Sequence, residues 1–206
     1  MDPELTFFIT SFISMMVIIN PFSTIATLIS LTKGAGKGER ERAAFMSSVV
    51  AFCVLVFFAL SGFLVFQLYS ITLEAFRIAG GMVLLIVGLK MFTPDDKKVK
   101  HPKFDRHSFV VPLAIPMTSG PGAITTAVVL ASQATTAWFA IALWAAILIA
   151  CIINYIVLRF STPIQHVLGE DGTAAMTKIM GLLVCAVGVQ FIITGLKVAF
   201  PLLSQA

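Results

Sequence analysis

A chain of 206 residues with 58% hydrophobic and 12% charged side chains, and a mean hydropathy of +0.99, is not a soluble domain, where charged residues make up about a quarter. The net charge of +4 does not point to nucleic acid, because the basic residues gather at the ends of apolar runs, where they set membrane orientation. The composition is that of a polytopic protein embedded in the lipid bilayer.

The chain opens on Met1-Asp2-Pro3-Glu4, which lacks the positive n-region of a signal peptide, so the first helix is expected to stay. About twenty apolar residues span a bilayer. The first such run, roughly 5–31, is interrupted by Asn20-Pro21-Phe22-Ser23. The loop KGAGKGERER (33–42) has glycines for a flexible turn, and its last four residues open a second run, roughly 43–69. A tight connection leads to a third, roughly 76–92, which carries Gly80, Gly81 and Gly88.

TPDDKKVKHPKFDRH (93–107) is the longest polar stretch and the expected linker between a first unit, 1–92, and a second, 108–206. The fourth run, roughly 108–132, is interrupted at Pro116 and again at Gly120-Pro121-Gly122. A fifth, roughly 137–160, follows a short turn. Residues 161–177, with Pro163, Gly169 and Gly172 as breakers, read as a third polar loop before the last run, roughly 176–200.

Each proline break removes a helix N–H and frees neighbouring backbone groups. In hydrocarbon those groups need protein, water or ligand partners. Matched breaks in two halves of one chain point to a transport site at mid-membrane. At the first break Asn20 offers a side-chain amide, Pro21 suits the first turn of the following half-helix, and Ser23 and Thr24 add hydroxyls. At the second, Thr118 and Ser119 precede Gly120, Pro121 and Gly122, whose small bulk lets backbone approach a ligand. Half-helix N-termini favour an anion. Two of them converging would make an amide-lined cage suited to a small zwitterion.

The halves look like repeats: Pro21 matches Pro121, Arg77-Ile78-x-Gly80 resembles Lys178-Ile179-x-Gly181, and Gly88 and Gly188 fall close to the same place. Three spans in each half force the second to enter from the opposite face. The expected fold is therefore all-α: six transmembrane helices as two inverted three-helix repeats, the first and fourth discontinuous. Twelve loop cations, from Lys33 to Lys178, fall on one side, and only Arg77 and Lys197 on the other. Positive charge stays in the cytoplasm, so both termini are expected outside it.

Enzymatic readings fail on inventory. His101, His107 and His166 are all in loops, and neither HExxH nor GxSxG is present. Cys53, Cys151 and Cys185 lie in apolar runs and read as small hydrophobes. No cofactor or metal is implied.

NPFSTIATLISLTKG with its basic loop, followed by VPLAIPMTSGPGAITT in the second half, resembles the MarC family of integral membrane proteins over essentially the whole chain. The SnatA-like members of that family are small neutral amino acid transporters. The resemblance implies a substrate site at Asn20, Pro21, Phe22, Ser23 and Thr24 from one half, and Thr118, Ser119, Gly120, Pro121 and Gly122 from the other. It also implies a multi-pass protein of the plasma (inner) membrane that moves glycine or alanine by alternating access. An exporter of hydrophobic compounds and a non-transporting scaffold are the rival readings. A coupling proton or cation, and a homo-oligomeric assembly, stay open at this point.

Overall fold

The computed structural model describes residues 2–32, 36–92 and 118–200, and the described residues are almost entirely helical. Helix α1, Pro3–Ile19, starts on a proline, with Glu4 in its first turn. It stops at Asn20, whose left-handed backbone (φ 45°, ψ 73°) ends the helix in one residue. Helix α2, Pro21–Leu31, begins at once. The expected break is therefore present.

Helix α3, Lys37–Tyr69, is longer than the apolar run. The charged residues 39–42 are helical too, and the Glu39 side chain accepts from the Gly36 N–H at 3.3 Å. Helix α4, Leu73–Lys90, is capped by Thr72, whose hydroxyl accepts from the Ala75 N–H. Helix α5, Pro121–Gln133, starts at the second break. Helix α6, Ala137–Arg159, is capped in the same way by Thr136.

Helix α7, Ser161–Ala199, corrects the expectation of a polar loop over 161–177. Pro163 sits in the first turn, where its missing N–H costs no hydrogen bond. Gly172 is helical, and only Gly169 (φ 69°, ψ −178°) interrupts the path.

Among the described residues, four segments are long and apolar enough to cross a membrane: Pro3–Ile29, Lys37–Gly62, Ala137–Arg159 and Asp171–Ala199. Helix α4 carries Glu74, Arg77 and Lys90 within its 18 residues, and α5 has only 13. Pro116, the first part of the expected fourth span and the linker 93–107 lie outside the described residues.

Helix α4 packs most extensively against the part of α7 that follows Gly169, and the two run antiparallel. Their backbones touch at glycines. A Cβ on Gly81 would stand 2.5 Å from the Gly188 carbonyl oxygen, and one on Gly88 would stand 2.8 Å from that of Gly181. Small residues at such contacts are how helices associate in lipid, where the hydrophobic effect gives them no push.

Two buried clusters lie on either side of the α1–α2 joint. One joins Met15 and Ile19 of α1 to Leu55 of α3, Ala123 and Ala127 of α5, and Leu143 and Ile147 of α6. The other joins Ile25 and Leu28 of α2 to Ala43 and Ala44 of α3 and Leu158 of α6. Large apolar side chains such as Phe57, Leu60, Ile86 and Leu182 are exposed, as a lipid-facing surface requires.

Candidate functional site

The first joint is organised by Asn20, which is 5% exposed. Asparagine tolerates the left-handed region better than most residues. Its Oδ1 accepts from the Ser23 N–H at 3.3 Å, capping α2, and its Nδ2 donates to Met91 Sδ at 3.8 Å. The Thr24 hydroxyl donates to the Asn20 carbonyl at 3.2 Å. The joint is thus closed largely by its own polar groups.

At the second joint Gly120 caps α5 in an extended conformation and Pro121 occupies the first turn. The Thr125 hydroxyl donates to the Pro121 carbonyl at 2.8 Å, and that of Thr126 to the Gly122 carbonyl at 2.9 Å. Both hydroxyls thus fold back onto carbonyls of the first turn of α5.

Both joints line one cavity of about 380 Å³. Asn20, Ser23 and Thr24 come from the first, and Gly120, Pro121, Gly122 and Ala123 from the second. Ile18, Ile19, Leu84, Val87 and Val184 supply apolar wall, with Lys90, Met91 and Thr177 completing it. Among the described residues, no aromatic side chain and no carboxylate is part of the lining. The starts of α2 and α5, together with the Lys90 ammonium, give it a positive bias that favours a carboxylate or another small anion.

Phe22, Pro21, Thr118 and Ser119 are not part of this lining. Residues i, i+3 and i+4 share a helix face, which puts Asn20, Ser23 and Thr24 together and turns Phe22 away. Phe22 packs instead against the Ile25–Leu28–Ala43–Ala44–Leu158 cluster. Pro21 is buried in the joint. Thr118 and Ser119 are fully buried, and neither lacks a partner. Gly122 leaves room for a neighbouring side chain, since a Cβ there would meet Leu84 Cδ2 at 2.6 Å.

Lys90, Met91, Thr177 and Leu84 were not legible as lining residues. Lys90 reads as an orientation charge at the end of an apolar run, and only the packing of α4 brings it to the cavity. Arg77 also reads as an orientation charge. It is 9% exposed in α4, with no partner for its Nε among the described residues. Among the described residues no three His, Cys, Asp or Glu side chains are grouped to hold a metal ion.

Comparison with known proteins gives a consistent result. The family described as MarC family integral membrane protein matches residues 5–200. The chain is 36% identical over 197 residues to a UPF0056 membrane protein of Aquifex aeolicus, covering 92% of each. It is 32% identical over 200 residues to the UPF0056 membrane protein MJ1677 of Methanocaldococcus jannaschii, covering 94% of this chain and 98% of the relative. To the UPF0056 inner membrane protein MarC of Escherichia coli it is 31% identical over 196 residues, covering 86% and 88%. No solved structure matches the chain.

Proposed function

The chain belongs to the MarC family of integral membrane proteins, and from that premise we propose that it is a secondary transporter of small neutral amino acids, glycine or alanine. It works by alternating access across the plasma (inner) membrane. The observation that carries this reading is the convergence of two helix breaks, at Asn20-Pro21 and Gly120-Pro121, on one cavity with a positive bias and no carboxylate among its described lining residues. The substrate carboxylate faces the starts of α2 and α5 and Lys90. Its ammonium faces the hydroxyl oxygens of Ser23 and Thr24. Asn20 contributes chiefly by holding the joint, since both ends of its amide already have partners.

The reading of two inverted three-helix repeats is supported by the glycine contacts between α4 and α7. Adding 100 to Gly81 and Gly88 gives Gly181 and Gly188, and the contact of Gly81 with Gly188 becomes that of Gly181 with Gly88. A two-fold relation between the halves requires this exchange. The same offset relates Pro21 to Pro121, and Leu84 to Val184; Pro121, Leu84 and Val184 line the cavity.

The lining reaches Lys90 at the charge-rich end, while the Met15–Ala123–Leu143 cluster packs the other side of the joint. With the basic loops in the cytoplasm and the termini outside, the cavity lies on the cytoplasmic side of the joints. The hydrophobic-exporter alternative has less support, because the described lining residues include no aromatic ring.

Binding of radiolabelled glycine and alanine to the purified protein, and uptake into proteoliposomes with and without a proton gradient, tests the proposal. Saturable binding of either, with uptake, supports it. Absence of both, in protein that remains folded, refutes it.

A further inference from the structure

A second cavity, of about 530 Å³, lies at the end of the bundle where α3 and α7 begin and α6 ends. Lys37, Arg40 and Arg159 line it, with Glu41 the one carboxylate among the described lining residues. Arg40 is held in place: its Nε donates to the Thr32 hydroxyl at 3.0 Å and its Nη1 to the Thr162 hydroxyl at 2.6 Å. The Arg159 Nε lies 3.9 Å from Glu41 Oε1, with both side chains partly exposed. Among the described lining residues, three cations against one carboxylate give an excess of two positive charges, and guanidinium groups among them suit a phosphate.

An apolar groove of about 160 Å³ occupies the same seam between α3 and α6. On α3 its walls are Phe45, Ser48, Val49 and Phe52, and on α6 they are Leu148, Cys151, Ile152 and Tyr155. Each set follows the i, i+3, i+4, i+7 spacing of one helix face. Glu41 lies one turn before Phe45, and Arg159 one turn beyond Tyr155, so the charged pocket stands at the head of the groove. The Ser48 hydroxyl is engaged by Asn154 Nδ2 at 3.4 Å. From Arg40 to Phe52 the seam runs about 18 Å, roughly one leaflet of a hydrocarbon core about 30 Å thick.

We propose that this seam is a binding site for an anionic phospholipid, with the phosphate among Lys37, Arg40 and Arg159 and an acyl chain along the Phe45–Phe52 and Leu148–Tyr155 faces. The groove decides between sources of phosphate. A soluble phosphate ester would use the basic pocket alone, whereas a lipid of the adjoining leaflet fills both. The site is independent of the cavity at the helix breaks.

The full-length protein in detergent is titrated with phosphatidylglycerol, phosphatidylcholine or free glycerol 1-phosphate. Bound lipid is read by native mass spectrometry, and the melting temperature is followed in parallel. The site predicts retention and stabilisation by phosphatidylglycerol over phosphatidylcholine. Lys37→Gln with Arg159→Gln weakens this about 30-fold, while Lys37→Arg with Arg159→Lys preserves it. Val49→Trp, at an exposed position in the groove, weakens lipid binding and leaves the melting temperature without lipid unchanged. Equal binding of phosphatidylcholine, or phosphatidylglycerol binding undiminished in the glutamine pair, overturns the proposal. Protection by glycerol 1-phosphate equal to that by the lipid overturns it in favour of a soluble anion.

Discussion

Replacing Asn20 separates its two roles in a way a single variant does not. Asn20→Ala removes the cap on the Ser23 N–H, at about 0.5–2 kcal/mol, and places an alanine at φ 45°. The left-handed conformation adds about 1–2 kcal/mol. Asn20→Gly also removes the amide, but glycine caps a helix within a few tenths of a kcal/mol of asparagine and accepts positive φ freely. The alanine variant is therefore expected to be less stable than the glycine variant by about 2–3 kcal/mol, or about 5–10 °C in melting temperature for a chain of this size. Thermal unfolding of both in detergent measures the gap, and alanine uptake by Asn20→Gly in proteoliposomes measures what the amide contributes to transport. If the two variants melt together, the left-handed cap is not what holds the joint. If Asn20→Gly transports like the parent, Asn20 acts through geometry alone.

Gly81→Ala drives a Cβ to 2.5 Å from a backbone carbonyl that no rotamer can relieve, so a loss of about 1–3 kcal/mol is expected. Gly36→Ala, with nothing within 4 Å, serves as the control in the same melting experiment. Gly169→Ala forces a φ of 69° that is nearly glycine-only at this ψ, costing about 1–3 kcal/mol despite the open space around it. Its melting temperature should fall by as much as that of Gly81→Ala. Lys90→Met should weaken substrate affinity about two- to fivefold, the scale of an exposed ion pair, and should flatten the dependence of uptake on ionic strength.

The helix breaks were legible because their chemistry is local. Proline ends a helix whatever surrounds it, and asparagine or glycine before it supplies the conformation the turn needs. Thr72 and Thr136 likewise act on amides three residues away. The 161–177 segment misled because its breakers differ in strength. A proline in a first turn removes no bond, a helical glycine costs only about 1 kcal/mol, and Gly169 alone adopts a conformation that needs glycine. Phe22 could have been excluded from the site by helical phase, since it lies off the face shared by Asn20, Ser23 and Thr24. Lys90 and Thr177 could not have been found this way. They reach the cavity only because α4 and α7 pack backbone to backbone, a tertiary fact with no signature at either residue.

That packing also bears on how the proposed transporter moves. The most extensive helix contact joins α4 of the first half to α7 of the second. It is built from reciprocal glycine contacts, with Cys185 Sγ 3.9 Å from the Leu85 carbonyl at its centre. Rocking one repeat rigidly against the other would open this seam and strip backbone groups of their close partners in lipid. Movement of the broken segments α1–α2 and α5 around a fixed α4–α7 pair leaves it intact. Gating is therefore the expected mode. A Leu85→Cys substitution, with Cys53 and Cys151 replaced, allows α4 to be bridged to Cys185 by a short bifunctional thiol reagent. Gating predicts that the bridged protein still transports alanine in proteoliposomes. Abolished uptake with substrate binding retained would show that the seam must open, and would restore rigid rocking of the repeats.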